Sequence, residues 1–537
     1  MSMTGFSKWS GLAAMILLAA GLALPVSAAP AAAPAGGAYS AKFNIPWTPE
    51  KRDFRAVWIA TVGNVDWPSA PGLTSAQQQA EFRRLLDDAV ASGMNAVIVQ
   101  IRPMGDAFYP TKKLPWSAYL TGQQGRAPNP YYDPLQFMIA EAHGRNLEFH
   151  AWFNPFRIGS SESPGKLVAN HPLRRLSSSF IPYNGRLYLN PGDPAVRQSI
   201  IDSILEVVSG YDIDAVHLDD YFYPYPEEGK TFADAASYKA QNQGRFKSIK
   251  DWRRNNINLF VRDLSKAIKA AGKPWVKFGI SPFGVWRNRA ADPSGSDTAA
   301  KSSSYDDLCA DTRNWIRNGW VDYILPQDYW YFGQPTVPYE KVLAFWGGEV
   351  RRNPRVHLYI GHALYKVDAD PAKAWKNREE ILNQLRYNQY FPEVRGSAFY
   401  NMSSLRRDPL GVRTQLGAVF YRPRALIPVM PWLGGTPPLA PHLDSARRES
   451  GAVRLSFGDS RAAGTTTYYV VYRFLGGAAG SLADPRQILA TVRKQPGTSQ
   501  EFIDRTAWTG CAYTYVVTAV DRLHNESPAS NAAAIPR

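Results

Sequence analysis

Residues 193–220 read DPAVRQSIIDSILEVVSGYDIDAVHLDD. Asp193 followed by Pro194 is a helix start: an aspartate can accept from the open N–H groups of a first turn, and a proline there forfeits no hydrogen bond. Val196, Ile200, Ile204 and Val207 follow at helical spacing. Gly210-Tyr211-Asp212 then turns the chain into an apolar run, Ile213 to Asp219, of strand length. The unit is helix, tight turn, buried strand, and then two acids.

The same unit recurs on both sides. Upstream strands are expected at Phe54–Val62, Asn95–Arg102 and Leu147–Asn154, with helices over Ser75–Ser92 and from Asp133-Pro134. Downstream strands are expected at Trp275–Ser281, Val321–Tyr329, Val356–Ala363 and Gly396–Met402. Helices are expected over Asp251–Ala271 and Asp306–Asn318, with a last one near Pro409–Val419. Eight alternations argue for an α/β fold closed as a (β/α)8 TIM barrel rather than an open sheet. Loop lengths agree. Helix-to-strand turns are short, as in Gly144-Arg145-Asn146, whereas Pro103–Tyr132, Pro155–Gly192 and Phe222–Lys250 are long strand-to-helix loops. The elaborated end is the C-terminal end of the strands, where barrel active sites sit.

The barrel is expected over residues 52–425. Pro437-Pro438 and Pro441 mark a linker. Residues 438–537 then carry short β-type runs at Val453–Phe457, Thr467–Phe474, Ile488–Val492 and Tyr513–Val520, which suggest a small all-β sandwich. The alternation from Tyr513 resembles fibronectin type III domains, which implies a tyrosine corner there. At the other end, Lys8, the apolar stretch Gly11–Leu24 and the small-x-small site Val26-Ser27-Ala28 read as a signal peptide over residues 1–28. Residues 29–51 read as a linker and extension. No cysteine stands near the cut and no later segment is long and apolar enough to span a bilayer, so export to the periplasm or medium without an anchor is expected.

Composition narrows the chemistry. Hydrophobic residues make up 45% and charged residues 20%, as in folded, core-bearing proteins. Lys and Arg number 61 against 46 Asp and Glu, a net charge of +15 that favours a polyanionic partner. No basic run interleaved with glycines accompanies it, which argues against nucleic acid. The two cysteines, Cys309 and Cys511, fall in different domains and are read as separate thiols. The 16 Trp, 28 Tyr and 24 Phe serve a large core or flat platforms for sugar rings.

Alternation along a barrel strand decides which residues see the lumen. In strand four Val216 and Leu218 suit the helix side, so His217, Asp219 and Tyr221 face inward and Asp220 sits at the mouth. Two adjacent acids closing an apolar strand are costly packing residues, because an unpaired buried carboxylate is expensive. Other strand ends are polar too: Gln100 and Arg102; His150, Trp152 and Asn154, then Arg157; Gln327, Asp328, Tyr329 and Trp330; Tyr400 and Asn401. Acyl transfer lacks a Gly-x-Ser-x-Gly elbow or a cysteine at a strand end. Zinc is a weak option for His150, His217, Asp219 and His362, without metal-type spacing, and no metal or cofactor is expected. Carboxylates, amides and aromatic platforms are what glycoside hydrolysis needs: one carboxyl, raised by burial or a like charge, protonates the leaving oxygen and a second acts as nucleophile or base.

Four stretches carry a resemblance to a known family: Arg55–Val62 through Asp66-Trp67-Pro68, His150–Pro155, His217–Pro224 and Pro326–Trp330. Over roughly residues 52–420 the chain resembles the bacterial glycosyl-hydrolase-like family related to family 10, which includes a divisome-associated peptidoglycan glycosidase. The resemblance implies a barrel acting on wall glycan, with Asp219 and Asp220 as catalytic candidates and Trp58, Asp66 and the strand-end residues above as substrate contacts. Asp328 is a third acid candidate, although the family usually has an apolar residue there and alternation turns Gln327, not Asp328, inward. Arg102, Arg157 and Arg287 are expected to meet the lactyl carboxylate that peptide-stripped wall glycan exposes. A non-catalytic wall lectin and a glycosidase of another exported polysaccharide are the alternatives; a monomer is expected in each case.

Overall fold

The computed structural model describes residues 46–459 and 465–537. The expected signal peptide and the first part of the linker, residues 29–45, lie outside the described residues.

Eight parallel strands close into a barrel: β1 Phe54–Ile59, β2 Ala96–Arg102, β3 Glu148–Phe153, β4 Ala215–Leu218, β5 Lys277–Ile280, β6 Tyr323–Ile324 continued by Gln327–Asp328, β7 His357–His362 and β8 Val394–Phe399. Strand β8 returns to β1 with Phe54 beside Gly396 and Val57 beside Phe399, which shuts the ring. Pro326 has no N–H to give to a ladder, and β6, expected as one run, breaks there into two short pieces.

Helices follow the strands as the apolar spacing requires. α1 Ser75–Ala91 starts with a reciprocal capping box between Thr74 and Gln77 and buries Phe82, Leu85, Leu86 and Ala89. α2 Pro134–Gly144 and α3 Pro194–Gly210 are capped by Asp133 and Asp193. α4 Ile249–Ala270 is capped by Ser248. The helix expected over Asp306–Asn318 shortens to α5 Thr312–Arg317. α6 Tyr339–Val350, α7 Glu379–Asn388 and α8 Met402–Arg407 complete the ring. The last expected helix starts late, as an α-helical turn Val412–Gln415 that runs into a wider π turn Leu416–Phe420, because Asp408 and Leu410 adopt left-handed backbone at φ 51° and 52°.

The barrel has two cores. Val57, Val97, Val99, Val216, Leu218 and Ile280 face the helices, while Phe54, Trp58, Ile98, Trp152, Tyr323 and Tyr359 fill the lumen. A polar thread runs through that lumen. The Tyr323 hydroxyl lies 2.9 Å from Nδ1 of both His150 and His217. Only glycine permits this at 279, where a Cβ would meet the Tyr323 ring at 1.9 Å. Ile427 and Met430 close the floor at the N-terminal end of the strands.

Two facing sheets follow, β9 His442–Glu449, β10 Ala452–Gly458 and β13 Ser499–Asp504 in one, and β11 Tyr468–Leu475, β12 Ile488–Arg493, β14 Tyr513–Val520 and β15 Ala533–Ile535 in the other. Their inner faces share a core of Leu455, Phe457, Tyr469, Val471, Tyr515 and Val517. Sequence patterning located four of these seven strands. β9 and β13 are half-exposed and β15 is three residues long, so none shows an apolar run. The Tyr513 hydroxyl receives the Trp508 N–H at 3.3 Å. Cys309 and Cys511 are both free thiols.

The sandwich docks on the barrel floor. His524 Nε2 reaches Glu148 Oε1 at the start of β3, 2.6 Å away, and Lys277 contacts the same carboxyl. Arg522 pairs with Asp212 at 3.1 Å and Asp214 at 3.0 Å. Lys51 pairs with Glu526 at 2.7 Å. These contacts all lie at the strands' N-terminal ends, leaving the opposite end open.

Candidate active site

At the C-terminal end of the barrel a cavity of about 350 Å³ opens over the lumen. Asp219 and Asp220 lie in it with Trp58, Trp152, Tyr221, Ser281, Gln327, Tyr329 and Trp330; Tyr225, Phe283, Tyr365, Lys366 and Tyr400 complete the lining.

Strand β4 ends at Leu218, and the next two residues carry the acids into the cavity from one wall. Asp219 is held by three N–H donors: Trp152 Nε1 at 3.1 Å and Asn154 Nδ2 on one oxygen, and the Tyr221 backbone at 3.0 Å on the other. Asn154 is itself aimed by Gln100, whose carbonyl takes the Thr61 and Val62 amides at 2.9 and 2.8 Å. Asp220 receives the Tyr225 hydroxyl and, at 3.1 Å, the Gln327 amide, which also donates to the Ser281 carbonyl at 2.9 Å. Burial and the neighbouring Asp220 charge push the Asp219 carboxyl up to about 7. Burial raises Asp220 as well, against the pull of its two donors. Two like charges this close in a dry site cannot both form readily, so the doublet holds a proton at neutral pH. That is the state a general acid needs.

The remaining expected residues divide. Tyr221 and Trp330 line the cavity, and the Arg157 guanidinium sits over the Tyr221 ring at 5.2 Å while donating to the Pro103 carbonyl at 3.1 Å. His150 and His217 lie below the cavity, both fully buried. His150 spends its second nitrogen on Glu148 at 3.0 Å and His217 its second on Ser281 at 2.9 Å, so both nitrogens of each ring are engaged inside the barrel.

Four expectations are corrected. Asp328 is turned to the helix side and fully buried, with neither carboxyl oxygen hydrogen-bonded, beside the charges of Glu340 and Glu380. It cannot reach substrate, because strand alternation gives the cavity to Gln327 instead. Asp66 braces backbone: its oxygens take the Ala60 and Ser403 amides at 2.7 Å each, fixing the end of β1 against α8. Arg102 is buried, donating to the carbonyls of Asn154 and Pro155, so it shapes the loop after β3 and meets no ligand. Arg287 is paired with Asp306 at 2.7 Å and stacks on Tyr305, outside the cavity.

Sequence reading missed Tyr225, Ser281, Phe283, Tyr365 and Lys366. Tyr225 and Phe283 each lie a few residues past a strand end in a long loop, where alternation no longer tells inside from outside. Tyr365 and Lys366 sit in a short 3-10 turn after β7, whose lone signal was a basic residue just beyond an expected strand end.

A model of the family described as glycosyl hydrolase-like 10 matches residues 53–377. The chain belongs to the glycosyl hydrolase-like 10 family. Within named relatives, it is 48% identical over 483 residues to glycosyl hydrolase YngK of Bacillus subtilis, covering 89% of this chain and 92% of that one. It is 40% identical over 375 residues to glycosyl hydrolase DigH of Escherichia coli K12, covering 66% of this chain and 84% of the relative. Among solved structures, the glycoside hydrolase domain of PgaB (BpsB) from Bordetella bronchiseptica superposes with a TM-score of 0.41 at 12% identity, covering 68% of this chain and 98% of that one. Like the relatives of its family, this protein is a glycoside hydrolase.

Proposed function

We propose that this glycosyl hydrolase-like 10 enzyme cuts the glycan strands of the bacterial cell wall after their peptides have been removed, and that it does so outside the cytoplasm, released by the signal peptide of residues 1–28. The observation that carries the reading is Lys366. It is the cation among the residues lining the cavity, half-buried, with its ammonium on the Tyr329 carbonyl at 2.9 Å. Peptide-stripped wall glycan carries a lactyl carboxylate on alternate sugars, and a cation beside an aromatic-walled acid doublet suits that pattern. The net charge of +15 favours the same polyanion over neutral glucans.

The sandwich is read as a fibronectin type III-like spacer. The three-plus-four partition of its strands and the Tyr513–Trp508 contact support this.

Purified enzyme should release reducing ends from amidase-treated sacculi and leave neutral α- and β-glucans intact. Lys366→Ala should raise KM on the anionic strands about tenfold or more, the effect of losing a charged contact of roughly 1.5–3 kcal/mol. Hydrolysis of a neutral glucan with sacculi untouched would assign the cavity to a different polysaccharide.

A further inference from the structure

Hydrolysis between two enzyme carboxylates needs one on each side of the scissile bond. This cavity has them on one side only. Asp219 and Asp220 are consecutive residues after β4, and they are the acids among the lining residues. In a ring of eight strands β8 faces β4, and what β8 brings to the cavity is Tyr400. The walls between them supply Phe283, Tyr329, Trp330 and Tyr365. Two further acids at this end of the barrel are committed: Asp66 to two backbone amides, Asp328 to the helix side of β6. Tyrosine is no substitute nucleophile, since burial holds the Tyr225, Tyr329 and Tyr400 phenols protonated.

The missing nucleophile must come with the substrate. Resting on the cell-wall reading above, we propose that the 2-acetamido group of the sugar in this cavity attacks its own anomeric carbon, with Asp219 orienting the acetamido N–H, a further donor that favours charged Asp219 and leaves the shared proton of the doublet on Asp220, and Asp220 serving as acid and then base. The amide oxygen forms a bond to C1 as the C1–O glycosidic bond breaks, and the Asp220 proton goes to the departing oxygen. The product is a cyclic oxazolinium ion, paired with Asp219. Water then attacks C1, gives its proton to Asp220 and reopens the ring, so the acetamido group is restored and the anomeric configuration is retained.

The two roles follow from the hydrogen bonds. Asp219, on the lumen side beside Trp58 and Trp152, already accepts three N–H donors, and a substrate amide is a further donor of the same kind. Trp58 and Trp152 line the same cavity and give the acetamido methyl an apolar seat. Asp220 lies on the Tyr225 and Gln327 side of the doublet, where the leaving sugar is placed. The site therefore requires an N-acetylated hexosamine on the non-reducing side of the cut.

Amidase-treated glycan strands and the same strands chemically N-deacetylated form the test pair. The deacetylated strands should be cut slower by a factor on the order of 10³ or more, the loss of an intramolecular nucleophile. Proton NMR should show the retained anomer first, and the thiazoline of N-acetylglucosamine should inhibit competitively. With an aryl N-acetylhexosaminide, whose leaving group needs no proton, Asp220→Asn should recover most of its activity and Asp219→Ala should not. First appearance of the inverted anomer, or equal rates on both strands, overturns the proposal while leaving the cell-wall reading intact. No reducing ends from either strand overturns the cell-wall reading itself.

Discussion

The Gln327 side chain donates to Asp220 at 3.1 Å, so β6 steadies the acid that β4 presents. This donor stabilises the charged carboxylate and lowers its pKa. Gln327→Ala removes it, and the Asp220 carboxyl should rise further. The pH at which kcat/KM falls on the alkaline side should move up, and kcat should drop by roughly tenfold as the acid loses its aim. A pH–rate profile of wild type and variant measures both.

Asp219 should make the fold less stable as pH climbs. An ordinary aspartate titrates near 3.8, and this one titrates near 7. Between those values the folded chain holds a proton that the unfolded chain has lost, so stability falls as pH rises through that window. Asp219→Asn removes the titration. Its melting temperature should exceed that of the wild type at pH 8 and match it at pH 4, while activity falls about 10²- to 10⁴-fold. Thermal scans across that range, paired with an activity assay, test it.

Asp328 adds nothing that its burial repays. Both oxygens are without partners in a fully buried site, and burial keeps the carboxyl protonated, well above the ordinary range. Asp328→Leu should leave kcat and KM unchanged and stabilise the fold by about 1–3 kcal/mol, the desolvation cost of an unmade hydrogen bond. Urea denaturation would read this directly, and a loss of activity would return Asp328 to the catalytic set.

Glu148 ties the barrel floor to the sandwich, with Lys277, His150 and His524 all on its carboxylate. These partners hold its pKa well below the usual range. The stability it contributes is present at neutral pH and is lost as pH falls through that low folded value. Glu148→Gln leaves the Lys277 charge buried and unpaired, and should cost about 3–5 kcal/mol. His524→Ala should weaken docking instead, giving earlier proteolysis between residues 433 and 442 with the barrel still active.

The barrel was legible because its signals are local and repeated: caps at Asp133 and Asp193, apolar spacing, and short turns before each strand. The position of the acid doublet was legible for the same reason, since alternation in β4 separates Val216 and Leu218 from His217 and Asp219. The roles of the arginines were not. Whether Arg102 or Arg287 meets a ligand depends on which carbonyl or carboxylate the fold brings within 3 Å, a fact about contacts far apart in sequence. Asp66 misled likewise: an aspartate just past a strand end looks the same whether it faces a cavity or clasps two backbone amides. Lys366 entered the cavity from a turn with no periodicity to place it.

His524 and Arg522 grip the barrel at the end opposite its mouth. The sandwich therefore stands behind the enzyme, as a handle lies behind a blade. Every residue lining the cavity comes from the barrel, so the rearward module leaves the mouth clear for a long strand to cross.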